Sequence, residues 1–69
     1  MRRLVGSAIM DIGDEATIIW PDGKSVAAEY VDTFGYDHIL KAQEDGREIR
    51  LTNRYISRMG IRVVKNKKE

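Results

Sequence analysis

Residues 16–33 read ATIIWPDGKSVAAEYVDT, and this stretch decides the fold class. Its first five residues are mostly β-branched or aromatic, which favours a strand. The strand stops at Pro21–Lys24, where proline presets the first angle of a turn and glycine accepts a positive φ. A loose alternation then resumes, with Val26, Ala28 and Tyr30 on one face of a second strand. The stretch therefore predicts an antiparallel β-hairpin.

Three further strands are predicted after this hairpin: His38–Ala42, Arg47–Thr52, and a last strand that runs through Ile56 and Met59 towards Ile61 and Val63. The connecting turns are predicted at Phe34–Gly35, Glu44–Gly46 and Asn53–Tyr55, the last with room for a single helical turn. Arginines spaced four residues apart from Arg50 to Arg62 would also suit a helix. Gly60 and the β-branched residues of this region favour strands instead.

Together these elements predict an all-β fold, a small and strongly bent antiparallel barrel of five strands. Gly35 is expected where the long second strand bends, and Trp20 is expected to cover one end of the barrel core. The first ten residues suit either a short N-terminal helix or an edge strand. We expect a single domain over residues 1–64, followed by a basic, flexible tail over residues 65–69.

Composition limits the classes of function. The chain has 69 residues, no cysteine and one histidine, so neither disulfides nor a thiolate metal site can stabilise it, and we expect no cofactor. A chain this short buries only about 60% of its unfolded surface, and oligomerisation is a common remedy for the resulting marginal stability. The apolar runs are far shorter than the ~20 residues needed to span a bilayer. The N-terminus is not typical of a signal peptide, so a soluble, cytoplasmic protein is expected.

The sequence gives no indication of catalysis. The spacing of Ser7, Ser25 and Ser57 relative to His38 does not suggest a catalytic triad. No glycine-rich phosphate loop follows a strand, because the DGK and DGR segments have the composition of turns. We therefore expect a binding protein and not an enzyme.

Charge is sorted along the chain. Residues 1–46 hold four basic and nine acidic side chains, a net of −5, whereas residues 47–69 hold eight and two, a net of +6. Arg50 and Arg54 lie on segments predicted to fold, where a fixed guanidinium can bind phosphate or carboxylate. The asymmetry also suits head-to-tail association, because the unlike halves of neighbouring copies would meet. Arg50, Arg58 and Arg62 could then pair with acids within one subunit or between two, the candidates being Asp11, Asp14, Glu15, Asp32 and Asp37.

The segment from Ala16 to Met59 resembles the Sm-like barrel family, which includes bacterial Hfq-type RNA chaperones. In that family a strand, a tight turn and a long bent strand lead to an aromatic-containing loop and an aliphatic strand, and the counterparts here are ATIIW, PDGK, SVAAEYVDTFGYD and HILKA. The second half of the family pattern is matched by IRL, TNRY and ISRM. Thr52-Asn53 replaces the arginine-glycine pair of the second Sm motif, and asparagine can adopt the left-handed conformation that glycine supplies. His38 stands where Sm proteins usually have asparagine.

The resemblance implies an RNA-binding site. Tyr36 and His38 would flank the loop that in this family stacks on a single-stranded base, and Asn53 and Arg54 would lie on the facing loop. Stacking on an aromatic ring is worth about 1–3 kcal/mol per base, and a guanidinium can stack or bind phosphate. The family also forms rings by pairing of edge strands. We therefore expect a homo-oligomeric ring that binds single-stranded RNA without transforming it chemically.

Two other interpretations of these residues stay open. Tyr36 could be a packed loop anchor, and His38 could be an ordinary, partly exposed residue of a strand. The protein could then be an SH3-like module that binds another protein, or a self-assembling structural ring that does not bind nucleic acid.

Overall fold

The computed structural model describes residues 2–66, and it contains seven strands and one helix over that range. The elements in chain order are β1 (Arg2–Val5), β2 (Ala8–Asp11), β3 (Glu15–Ile19), β4 (Ser25–Phe34), β5 (Asp37–Ala42), β6 (Glu48–Thr52), α1 (Asn53–Met59) and β7 (Arg62–Lys65). The prediction of an all-β fold is confirmed in its coarser form: the chain is mostly β and its strands pair antiparallel. No helix among the described residues is long and apolar enough to cross a membrane.

Five strands form one antiparallel sheet in the order β6-β5-β4-β3-β7. Its centre is the predicted hairpin of β3 and β4, in which Ile19 pairs with Ser25 across the turn. Inside the turn, the Trp20 backbone N–H donates to the Lys24 carbonyl at 2.8 Å, and Gly23 takes a φ of 93°. The turn thus uses glycine as the sequence predicted, because only glycine adopts such an angle without strain.

β4 is irregular at Val31, where its register with β5 shifts between Tyr30 and Asp32. Such a bulge bends a strand and increases its twist. The bend was predicted at Gly35, and that position is wrong: Gly35 lies in the two-residue turn that joins β4 to β5, with a φ of 63°. Gly35 has a positive φ at the first central position of the turn, and Tyr36 at the second does not. This is the pattern of a type II′ hairpin turn.

The segment after β6 differs most from the prediction, because a helix replaces the start of the expected last strand. Thr52 caps α1, and its Oγ1 accepts a hydrogen bond from the Tyr55 backbone N–H at 3.0 Å. Gly60 ends the helix in the left-handed conformation, with a φ of 70°. In the sequence Gly60 favours a strand, yet it is the residue that terminates the helix. Asn53 does not take the left-handed conformation, because no described residue other than glycine has a positive φ.

The N-terminal segment forms a second, two-stranded sheet of β1 and β2, so the alternative of a short N-terminal helix is wrong. Gly6 and Ser7 form its turn, since Val5 pairs with Ala8. A Cβ placed on Gly6 would lie only 3.2 Å from Cγ2 of Ile56, so the turn packs closely on α1. This hairpin brings two fully buried side chains, Val5 and Met10, into the core.

The core is formed by side chains from the inward faces of both sheets and of α1. Its buried members are Val5, Met10, Ala16, Ile18, Ala28, Tyr30, Leu40, Leu51, Ile56, Ile61 and Val63, and Trp20 packs against their edge. Within the described residues β6 and β7 are the edge strands of the larger sheet, and no ladder joins them. The architecture is therefore one antiparallel five-stranded sheet, one hairpin and one short helix around a common core.

The predicted boundary between domain and tail falls too early. Lys65 is the last residue of β7, and the Asn66 backbone N–H donates to the Glu15 carbonyl at 2.8 Å. The Asn66 side chain also accepts a hydrogen bond from Oγ1 of Thr17 at 3.1 Å. The folded domain therefore extends at least to Asn66, and residues 67–69 of the expected tail lie outside the described residues.

Candidate nucleic-acid interface

A surface cavity of about 600 Å³ lies beside the turn that joins β4 to β5. All four residues predicted as an RNA site, Tyr36, His38, Asn53 and Arg54, line this cavity. Its remaining lining residues are Arg3, Leu4, Gly35 and Thr52. Three separate segments of the chain therefore meet at one place: the N-terminal hairpin, the β4–β5 turn and the start of α1.

Tyr36 is the most exposed aromatic residue of the cavity, with 92% of its surface accessible. The two-residue turn explains this exposure, because Gly35 and Tyr36 are the unpaired residues at the tip of a hairpin. Phe34, at the last pair of the same hairpin, is 75% exposed. A large apolar ring that gains no burial in the folded chain is available to stack on a planar ligand. The interpretation of Tyr36 as a packed anchor does not agree with this geometry.

His38 is buried, with 5% of its surface exposed, and both of its ring nitrogens are hydrogen-bonded. Nε2 lies 3.1 Å from Oδ1 of Asn53, and Nδ1 lies 2.9 Å from the hydroxyl of Tyr30. An amide oxygen only accepts, so Nε2 carries a hydrogen, and in the neutral imidazole Nδ1 then accepts from the hydroxyl of Tyr30. The rings of Tyr30 and His38 also meet edge to face, with centroids 5.7 Å apart. These contacts fix the orientation of the His38 ring and, for the neutral imidazole, its tautomer.

The surroundings of His38 lower its pKa below the ordinary value of 6.5. Burial is the main cause, because it disfavours the charged imidazolium. The positive charge of Arg3 lowers the pKa further, whereas the hydrogen bond to Asn53 and the carboxylate of Asp37 partly oppose both effects. Burial and the charge of Arg3 thus favour the neutral imidazole over the charged form.

Asn53 joins the three segments that form the cavity. Its Oδ1 accepts hydrogen bonds from the Gly6 backbone N–H at 2.8 Å and from His38. Its Nδ2 donates to the Leu4 carbonyl at 2.7 Å. Three of the four hydrogen bonds that an amide side chain can make are therefore directed into the protein. Asn53 positions the N-terminal hairpin, and with it Arg3, at the rim of the cavity.

The cavity carries positive charge without a compensating acid, since Arg3 and Arg54 line it and none of its lining residues is acidic. Some cations elsewhere are paired: Arg50 lies 3.8 Å from Asp37, and Lys65 lies 3.3 Å from Asp14. Of the pairings open to Arg50, the one with Asp37 therefore forms within one chain. Within residues 2–66 neither Arg3 nor Arg54 forms an ion pair, so both guanidinium groups can meet an anionic ligand.

Sequence reasoning missed Arg3, Leu4 and Thr52. The N-terminus was compared only with a signal peptide, although it places Arg3 on β1 at the cavity. No group of three or more histidine, cysteine or acidic residues among residues 2–66 could hold a metal ion.

No family model, curated protein or solved structure matches the chain. What the cavity offers is an exposed aromatic ring and two guanidinium groups.

Proposed function

We propose that this protein binds single-stranded RNA at the cavity beside Tyr36, by stacking and by arginine contacts, and without a chemical step. The observation that carries the proposal is the combination of a 92% exposed tyrosine with Arg3 and Arg54 in one cavity that no acidic residue lines. Aromatic faces and basic grooves together are the usual means of binding an unpaired strand. A stacked base would rest on Tyr36, and the flanking phosphates would meet the two arginines.

The four residues of the site divide into two pairs with different roles. Tyr36 and Arg54 would contact the ligand, because their functional groups face outward. His38 and Asn53 line the cavity, but their hydrogen-bonding groups are directed to Tyr30, to each other and to the N-terminal hairpin. They would act as positioning residues and contribute little to reading the base. Recognition should therefore tolerate different bases.

We extend the proposal to the Sm-like barrel and to assembly as a homo-oligomeric ring. The strand order, the bulge of β4 at Val31 and the short helix between the two edge strands support a strongly bent sheet of this kind. Head-to-tail pairing of β6 with β7 of the next copy would cover both edges. Glu48 on β6 and Arg62 on β7 are both exposed and carry opposite charges, and Glu48 also lies 3.9 Å from Arg50 of its own strand.

The proposal is tested by fluorescence anisotropy with a labelled uridine-rich or adenine-rich RNA at low salt. Wild-type protein should bind with an affinity that falls steeply as salt is added. Tyr36→Ala should weaken binding by roughly fivefold or more, whereas Tyr36→Phe, which keeps the ring, should bind like wild type. Arg54→Ala should weaken binding, and Arg47→Ala is the matched control, because Arg47 pairs with Asp45 in a distant turn.

Absence of RNA binding at low salt would reject the RNA function. The remaining interpretations would then be a module that binds another protein or a structural ring without nucleic acid. Equal weakening by Arg54→Ala and Arg47→Ala would also count against the site, because it would indicate attraction by net charge alone.

A further inference from the structure

A second groove of about 390 Å³ lies along β6, next to the proposed RNA site. Two aromatic side chains line it: Trp20, which is half-buried at the end of β3, and Tyr55 of α1, which is 46% exposed. Its other lining residues are Asp37, Arg50, Leu51 and Thr52. The role expected for Trp20, to cover one end of the core, accounts for its buried part only. The accessible part faces a groove that already contains a second ring.

The two sites are continuous at Thr52, which lines both the cavity beside Tyr36 and the groove beside Trp20. A third depression of about 190 Å³ adjoins them and is lined by Thr52, Arg54, Tyr55 and Arg58. Arg54 is therefore shared between the cavity and this depression, and Tyr55 is shared between the depression and the groove. Along the surface, the cavity with Tyr36 is therefore followed by the basic depression and then by the groove with its two aromatic rings.

The charges along these three adjoining sites suit the phosphates and bases of one single-stranded RNA. The groove itself is balanced, because Asp37, its acidic lining residue, lies 3.8 Å from Arg50. In the adjoining depression, Arg54 and Arg58 form no ion pair with any residue in the 2–66 range. A phosphate would be attracted to the depression between the two aromatic sites, and an uncharged base would suit the groove.

We propose that the groove between Trp20 and Tyr55 is a second base-binding subsite for the same single strand, with the connecting phosphate on Arg54 and Arg58. This inference rests on the proposed RNA function and specifies its substrate: an extended strand of several nucleotides, and not an isolated nucleotide. Binding at both subsites would add the stacking of a second base to that of the first. Strands too short to cross Thr52 would occupy the cavity alone.

Trp20 provides the test, because it is the single tryptophan of the chain. Its emission is followed while oligouridylates from a dinucleotide to an octamer are added, and the anisotropy of labelled strands reports binding itself. The dinucleotide should leave Trp20 emission unchanged, whereas the octamer should quench it. Tyr55→Ala should weaken octamer binding by roughly fivefold or more and leave dinucleotide binding unchanged, whereas Tyr55→Phe should bind the octamer like wild type.

Arg58→Ala should likewise weaken the octamer selectively, with Arg47→Ala as its charge-matched control. The inference is overturned if the octamer binds in a manner that depends on Tyr36 while Trp20 emission and the Tyr55→Ala affinity stay unchanged. That outcome would leave the proposed RNA site standing. Quenching of Trp20 by an apolar peptide but not by the octamer would also overturn it. No binding of any strand by anisotropy would instead reject the RNA function itself.

Discussion

His38 Nε2 donates a hydrogen bond to Oδ1 of Asn53 across 3.1 Å, and this contact ties β5 to the first residue of α1. The same oxygen accepts from Gly6, so the N-terminal hairpin is attached to the pair as well. The proposed RNA site is thus assembled by two residues that do not present their own polar groups to a ligand. Its geometry should depend on this network more than on the residues at its rim.

Replacement of Asn53 by alanine should destabilise the fold and displace the N-terminal hairpin. The change removes three hydrogen bonds, and it leaves the buried Nε2–H of His38 without its acceptor. The loss should be about 1–3 kcal/mol in the free energy of unfolding, because some of the exposed backbone groups regain partners in water. Urea denaturation measures it, with Gln43→Ala as an exposed control expected to stay within about 0.5 kcal/mol of wild type. Equal stability of Asn53→Ala and wild type would contradict the role assigned to Asn53.

Stability should fall as the pH drops below 6.5, the ordinary pKa of the histidine that is exposed in the unfolded chain. Because the folded-state pKa of His38 is lowered, the unfolded state takes up a proton first and is favoured. The loss of stability that His38 causes should cease once the pH is below its folded-state pKa. For one proton, the free energy of unfolding cannot change by more than about 1.4 kcal/mol per pH unit.

Urea denaturation of wild type and of His38→Gln between neutral pH and pH 5.5 separates this contribution from that of the carboxylates. The glutamine variant should have lower stability at neutral pH and a flatter pH dependence. An NMR titration of His38 gives the folded-state pKa directly. A midpoint above 6.5 would contradict the neutral, buried imidazole.

RNA affinity should depend strongly on salt and weakly on base identity. His38 and Asn53 are occupied within the protein, so stacking on Tyr36 and contacts from Arg3 and Arg54 would provide most of the binding. For single-stranded nucleic acid, a plot of the logarithm of the association constant against the logarithm of salt concentration falls with a slope of about −0.7 per neutralised phosphate. Arg54→Ala should make this slope shallower by about 0.7. Uridine-rich and adenine-rich strands should bind within several-fold of each other. A preference of a hundredfold or more would show that a base edge is read.

Assembly should depend on the edge strand β7. Val64 is 44% exposed on β7, and lysine at this position would place a charge where the next copy is expected to pair. Sedimentation should show wild type as an oligomer and Val64→Lys as a smaller species. Ala27→Lys, on the exposed face of the central strand β4, is the control and should sediment like wild type. A monomeric wild-type protein would contradict the ring.

The sequence predicted the hairpin of β3 and β4 well, because Pro21 and Gly23 fix the turn and Ala28 and Tyr30 alternate inward. It allowed a single helical turn at Asn53–Tyr55 but did not predict the whole of α1. Ile56 is the only buried residue of that helix, and one apolar position cannot show a helical period. The cap at Thr52 and the stop at Gly60 were the local signals that could have indicated it.

The candidate site could be predicted in part. The resemblance placed Tyr36, His38, Asn53 and Arg54 near one another, and all four line one cavity. Which of the four would contact a ligand and which position the others depends on contacts between segments far apart in sequence. The contact of Gly6 with Asn53 is one example, and no local pattern reveals it. The contribution of Arg3 was missed for the same reason.

The most direct test of the central claim is a heteronuclear NMR titration of the ¹⁵N-labelled protein with a single-stranded oligouridylate at low salt. The largest amide shifts should fall at Gly35, Tyr36 and Arg54, with smaller shifts along Thr52 and Tyr55 as the strand lengthens. The turn of β5 and β6 around Asp45 should not respond. Shifts confined to other surfaces, or none at saturating RNA, would contradict the assignment of this cavity as a site for single-stranded RNA.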